Sequence, residues 1–193
     1  MNTLEVIKAQ VSESVRVKSA LLQDEALLEK IAAVSDIIVE AYRSGHKTLW
    51  GGNGGSAADA QHMAGELVNK FCFDRPGLPA LSLSTDTSIL TAIGNDYGFE
   101  RLFSRQIEAQ GCRGDVFIGF STSGNSRNLV EALAACKAKG ITSVAIVGAS
   151  PCLMEGYDYV IHVPSTVTPR IQECQTLIGH ILCYQAEQKI FGE

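Results

Sequence analysis

The chain has 193 residues, of which 46% are apolar and 19% charged, and a formal net charge of −5. That length suits one α/β domain with a core of its own, and no apolar run approaches the roughly 18 residues of a bilayer span. The acidic balance, with no clustered Lys or Arg, argues against a nucleic-acid surface. At the N-terminus Glu5, Lys8, Glu13 and Arg16 interrupt the apolar positions, so the segment does not read as a signal peptide. A cytoplasmic protein follows, whose six cysteines, none in a CxxC pair, stay reduced.

Helical periodicity opens the chain: Leu4, Ile7, Val11 and Val15, then Leu27, Leu28, Ile31, Val34, Ile38 and Tyr42, ending at Gly45. Two helices over 1–45 are more than one sheet needs, so their apolar faces serve either oligomerisation or a plain packed hairpin. Short apolar runs then alternate with helical stretches over 46–193. They are 48–50 then a helix over 56–70, 80–83 then 86–109, 116–120 then 126–139, and 144–147. A last run, 159–163, leads to a helix from about Ile171 to Ile190. Most of these runs are continuously apolar, as strands covered on both faces require. The order predicts a single α/β domain: a five-stranded parallel sheet, flavodoxin-like and three-layered, flanked by helices on both faces.

Two loops at strand ends are rich in glycine and hydroxyls. The first, Trp50-Gly51-Gly52-Asn53-Gly54-Gly55-Ser56, contains neither GxGxxG nor GxxxxGK[ST], so it implies neither a dinucleotide nor ATP. Its glycines let a small ligand approach the backbone closely. The second, Ser121-Thr122-Ser123-Gly124-Asn125-Ser126, brings four hydroxyls and free N–H groups to the positive end of a helix. An ordinary helix cap needs one hydroxyl, so four indicate a phosphate cradle. With no Lys or Arg run nearby, a single sugar phosphate fits better than a polyphosphate.

His62 and Glu66 lie four apart on the helix after the first loop and project from one face. The spacing suits half of a metal site or a solvated surface pair. In the last helix, His180 between Gly179 and Ile181 is by itself as readily a packed residue as a ligand. The Asn95-Asp96-Tyr97-Gly98 segment has turn chemistry. Arg75, Arg101 and Arg105 read as solvated or inter-subunit charges, Arg127 as an accessory to the second loop, and Asp59 as a candidate to orient His62.

The STSGNS loop resembles that of the sugar isomerase (SIS) domain family. GGNGGSAADAQHMAGEL, the segment 74–100 and RIQECQTLIGHIL at 170–182 resemble its phosphoheptose isomerase branch, over essentially the whole chain. The resemblance implies a SIS fold and isomerisation of sedoheptulose 7-phosphate to D-glycero-D-manno-heptose 7-phosphate through an enediol, early in nucleotide-activated heptose biosynthesis for lipopolysaccharide or capsule. It implies one Zn2+ per subunit on His62, Glu66, Gln172 and His180, with Glu66 and His180 catalytic. Substrate contacts carried over are Asn53, Gly54, Gly55, Glu66, Asn95, Asp96, Ser121, Thr122, Ser123, Ser126 and Gln172. It further implies a homotetramer with sites at subunit interfaces, and no nucleic-acid or membrane partner. Gln172 and His180 stand about 12 Å apart in helical rise, so an irregular helix start, converging side chains or two subunits must bring them together. Gln175 stands where many relatives carry His. That departure keeps open the alternative of a non-catalytic SIS tetramer that binds a sugar phosphate and regulates a replication initiator.

Overall fold

Asn2 starts the first helix as a capping box: its side chain accepts from the Glu5 N–H at 2.9 Å, and Glu5 accepts from the Asn2 N–H at 2.9 Å. The computed structural model describes residues 2–192. Helix α1 (Thr3–Gln23) ends at Asp24, whose carboxylate then caps α2 (Glu25–Arg43) by accepting from the Leu27 N–H at 3.0 Å. The remaining elements are β1 (Thr48–Gly52), α3 (Gly55–Val68), β2 (Ala80–Ser82), α4 (Thr87–Asp96), α5 (Leu102–Gln110), β3 (Val116–Ser121), α6 (Arg127–Lys139), β4 (Thr142–Val147), β5 (Tyr159–His162) and α7 (Thr168–Phe191). The strands form one parallel sheet in the order β2-β1-β3-β4-β5. This is the expected flavodoxin-like order, and its switch point lies between β1 and β3, where the chain leaves both strands in ligand-sized loops.

Pleating sorts the core into two layers. Val116, Ile118 and Phe120 of β3, with Trp50 of β1, pack against α2, α3 and α7, while Phe117, Leu49, Ala145 and Val147 face α5 and α6. Trp50 stacks on Phe120 at 5.7 Å, and its indole N–H donates to Thr48 Oγ1 at 2.8 Å, which also meets the Tyr42 hydroxyl at 2.7 Å. The polar atoms of this chain are thereby satisfied within the layer. All six cysteines are free, and burial pushes the Cys136 thiol up to about 12. No helix among the described residues is long and apolar enough to cross a membrane.

Two boundaries differ from the sequence expectation. The stretch read as one helix over 86–109 is broken after Asp96: Gly98 takes φ +88°, and a 3-10 turn, Phe99–Arg101, redirects the chain into α5. The last helix begins at Thr168, three residues earlier than expected, because Pro169 sits in its first turn, where a missing N–H costs nothing.

Along one face of the sheet α3 and α7 run parallel. A Cβ on Gly55 would meet the Gln172 side chain, Thr176 Oγ donates to Asp59 Oδ1 at 2.7 Å across 117 positions, and a Cβ on Gly179 would strike Met63. Helix α1 packs its Val17 and Leu21 inward but leaves Leu4, Ile7, Val11, Val15 and Leu22 more than half exposed. Replacing Phe117, fully buried at the centre of the sheet, with Ala is expected to cost about 3–5 kcal/mol. A urea unfolding midpoint that stays at the wild-type value would contradict this core assignment.

Candidate active site

The first loop is shaped by glycine. A Cβ on Gly52 would lie 2.4 Å from the Ser56 carbonyl oxygen, and Gly54 takes φ +56°, so the turn into α3 admits no side chain at either position. Asn53 and Asn128 exchange amide bonds, Nδ2 to Oδ1 in both directions at 2.9 Å, which ties this loop to the first turn of α6 across the switch point. Each amide keeps a hydrogen and a lone pair for a ligand. Asn128, 1% exposed, was missed by sequence reasoning. Its signal is a polar side chain beside the buried Leu129 on the inner face of a helix.

In the second loop Ser121 Oγ accepts from the Gly124 N–H at 3.1 Å and lies 3.3 Å from Ser126 Oγ. Ser126 stands at the N-cap of α6 but its hydroxyl does not cap that helix, so the N–H groups of Arg127 and Asn128 remain open to an anion while that of Leu129 donates to the Ser126 carbonyl at 3.0 Å. From outside, the Leu153 N–H donates to Asn125 Oδ1 at 2.9 Å and the Met154 N–H to the Gly124 carbonyl at 3.2 Å, bracing the loop. Thr122, Ser123 and Asn125 line a cavity of about 260 Å³ whose far wall carries Ser150, Ser165, Thr166 and Thr168. That second set of hydroxyls was also missed, although the run Ser165-Thr166-Val167-Thr168 at a strand end resembles the first loop in composition. Arg127 is exposed at the start of α6.

A third group forms where α3 meets α7. His62 Nε2 lies 3.0 Å from Glu66 Oε1 and 3.4 Å from His180 Nε2, with the two rings edge to face at 4.8 Å. One ligand atom from each residue falls within 4.8 Å of the others. Two imidazole nitrogens and a carboxylate oxygen aimed at one point match a three-ligand metal centre with an open position. Burial, seconded by the neighbouring His62, holds the His180 imidazole below its ordinary value and so in the neutral, ligating form. The Phe71 ring packs against His180 at 5.4 Å.

Other predicted residues lie elsewhere. Gln172 turns its side chain onto Gly55, and α7 is helical from Thr168 onward, so an irregular helix start does not carry Gln172 to His180. Within one chain it serves the glycine loop. Asn95 and Asp96 close α4, exposed and bonded to each other at 2.7 Å, while the turn itself falls to Tyr97 and Gly98. Asp59 accepts from Thr176 rather than orienting His62, and burial raises its carboxyl. Gln175 is fully buried: its amide donates to the Ile146 carbonyl at 2.6 Å and accepts from Ser56 Oγ at 3.3 Å. It supports the sheet and points away from the trio. Arg75 corrects the sequence reading outright, since its side chain is 1% exposed and paired with Glu187 rather than solvated.

Comparison with known proteins agrees with this geometry. Residues 12–148 match the SIS domain family model. The chain is 57% identical to phosphoheptose isomerase 2 of Campylobacter jejuni, covering 97% of this chain and 94% of the relative. It is 58% identical to the phosphoheptose isomerase of Aneurinibacillus thermoaerophilus, covering 96% and 94%. Its fold matches the structure of a phosphoheptose isomerase from Francisella tularensis with a TM-score of 0.93 at 33% identity, over 97% of this chain and 100% of that one. The match takes in the helices that carry the trio as well as both loops, and the chain belongs to the SIS domain family and, within it, to the phosphoheptose isomerases.

Proposed function

We propose that this chain converts sedoheptulose 7-phosphate to D-glycero-D-manno-heptose 7-phosphate through an enediol, with zinc held by His62, Glu66 and His180. The observation that carries the reading is the convergence of those three side chains at the α3–α7 contact. The names of the relatives point to a phosphorylated heptose as substrate.

Ser121, Thr122, Ser123 and Ser126 bind the phosphate at the positive end of α6. Asn53, Gly54 and Gly55 offer amide groups to the sugar chain. Glu66 uses Oε1 toward His62, which leaves Oε2 to take a proton from C1 and return it to C2. His180 gives a proton to O2 and accepts one from O1, so the exchange balances without an external reductant. A bound divalent ion supplies stabilisation of the developing oxyanion.

The α1 stripe of Leu4, Ile7, Val11, Val15 and Leu22 docks a second copy in a homotetramer. Asn95 and Asp96 complete the site from a neighbouring subunit in this arrangement, while Gln172 stands over Gly55 of its own chain. The product feeds cytoplasmic synthesis of nucleotide-activated heptose for lipopolysaccharide or capsule.

Metal-replete protein mixed with sedoheptulose 7-phosphate is expected to give new anomeric proton signals by NMR, and both EDTA stripping and His180→Ala to abolish them. Sugar binding without conversion would instead favour a binding module. Glu66→Gln should lower kcat by roughly 10²–10⁴-fold, and near-normal turnover would remove Glu66 as the base. Paired Val11→Asp and Val15→Asp changes should shift the protein to smaller species in light scattering; an unchanged mass would free α1 of the assembly role.

A further inference from the structure

Among the described residues only one ion pair has both side chains buried, Arg75 with Glu187, at 1% and 0% exposed. Glu187 Oε1 accepts from the Phe71 N–H at 2.8 Å and from Arg75 Nε at 3.1 Å, and Oε2 accepts from the Cys72 N–H at 2.6 Å. Arg75 Nη2 donates to the Glu66 carbonyl at 2.9 Å, and Nη1 to the carbonyls of Leu67 at 2.6 Å, Asn69 at 3.2 Å and Pro76 at 3.1 Å. The Glu66 and Leu67 carbonyls belong to the last turn of α3, the helix that bears His62 and Glu66, and that of Leu67 also accepts from the Leu78 N–H at 2.9 Å. Glu187 lies two turns beyond His180 on α7, and the segment it pins carries the Phe71 ring that packs on His180.

Loop bracing alone does not require charge. Water or a small polar side chain could satisfy the end of α3, and a buried ion pair is seldom more stabilising than apolar packing of the same volume. What the pair does that apolar packing could not is fix direction. The planar guanidinium sets the carbonyl of Glu66, while the carboxylate sets the backbone beneath Phe71. One arm therefore reaches Glu66 and the other reaches His180.

We infer that Arg75 and Glu187 are positioning residues that hold Glu66 and His180 at metal-binding separation, one through the last turn of α3 and the other through Phe71. The inference rests on the proposed metal site. Its test measures Co2+ affinity by chelator competition, the Co2+ ligand-field absorption, and kcat and KM separately. The proteins are wild type, Arg75→Lys, Glu187→Gln and a control, Asp158→Asn. Asp158 accepts from the Ser143 N–H at 2.8 Å and hydroxyl at 2.6 Å beside β4 and β5, outside the site.

Both site variants are expected to bind Co2+ about 10–100-fold more weakly, to shift the absorption band, and to lose kcat with little change in KM. Asp158→Asn should lose thermal stability while keeping all three at wild-type values. If the Arg75 and Glu187 variants lose only melting temperature, with metal affinity and spectrum intact, the pair is a brace and the inference falls. Wild-type protein that binds no Co2+ would instead remove the metal site itself and the inference with it. Should both site variants fail to fold, Phe71→Ala keeps the backbone bond to Glu187 and loses only the ring. A shifted Co2+ spectrum supports the His180 arm, and an unshifted one overturns it.

Discussion

The parallel contact of α3 with α7 is the constraint on which the candidate site depends. Gly179 favours it: a Cβ there would lie 2.4 Å from Met63 Sδ, so any other residue would force the Met63 side chain to move at the level of His62 and His180. The contact holds three different kinds of chemistry along its length. Gln172 fills the space over Gly55 at the start, Thr176 bonds Asp59 one turn later, and the imidazoles meet beyond that. Beneath it, the buried residues of β1 and β3 give both helices one surface on which to settle.

The switch point supplies the other half of the arrangement. Strands β1 and β3 are neighbours whose following helices lie on opposite faces, so their two loops diverge and leave a crevice. The reciprocal Asn53–Asn128 bond sets the width of that crevice with neutral groups. Hydroxyls from both the second loop and the β5–α7 connection then face a common cavity.

Much of this was legible in the sequence because it is local. Continuous apolar runs gave the strands, and the i,i+4 spacing put His62 and Glu66 on one face. The glycine and serine loops announced themselves by composition. What could not be read was tertiary. Arg75 looks like any arginine in a polar segment, and only the docking of α7 supplies Glu187, 112 positions away. Asn128 is one polar residue in a helical pattern, whose partner sits in another loop. Periodicity carried the helix over 86–109 straight through Gly98, since a single glycine does not announce its φ. Gln175 drew attention as a substituted position near His180, yet its angle about the α7 axis points it into the sheet, where it is a core residue.

His62 and His180 are 118 positions apart, and α7 is the last element of the chain. No fragment that lacks the final helix contains all three of His62, Glu66 and His180. An ion held by the three side chains would therefore favour the folded chain over the unfolded one by mass action. A chain cut short before its last helix lacks His180 and cannot assemble the trio.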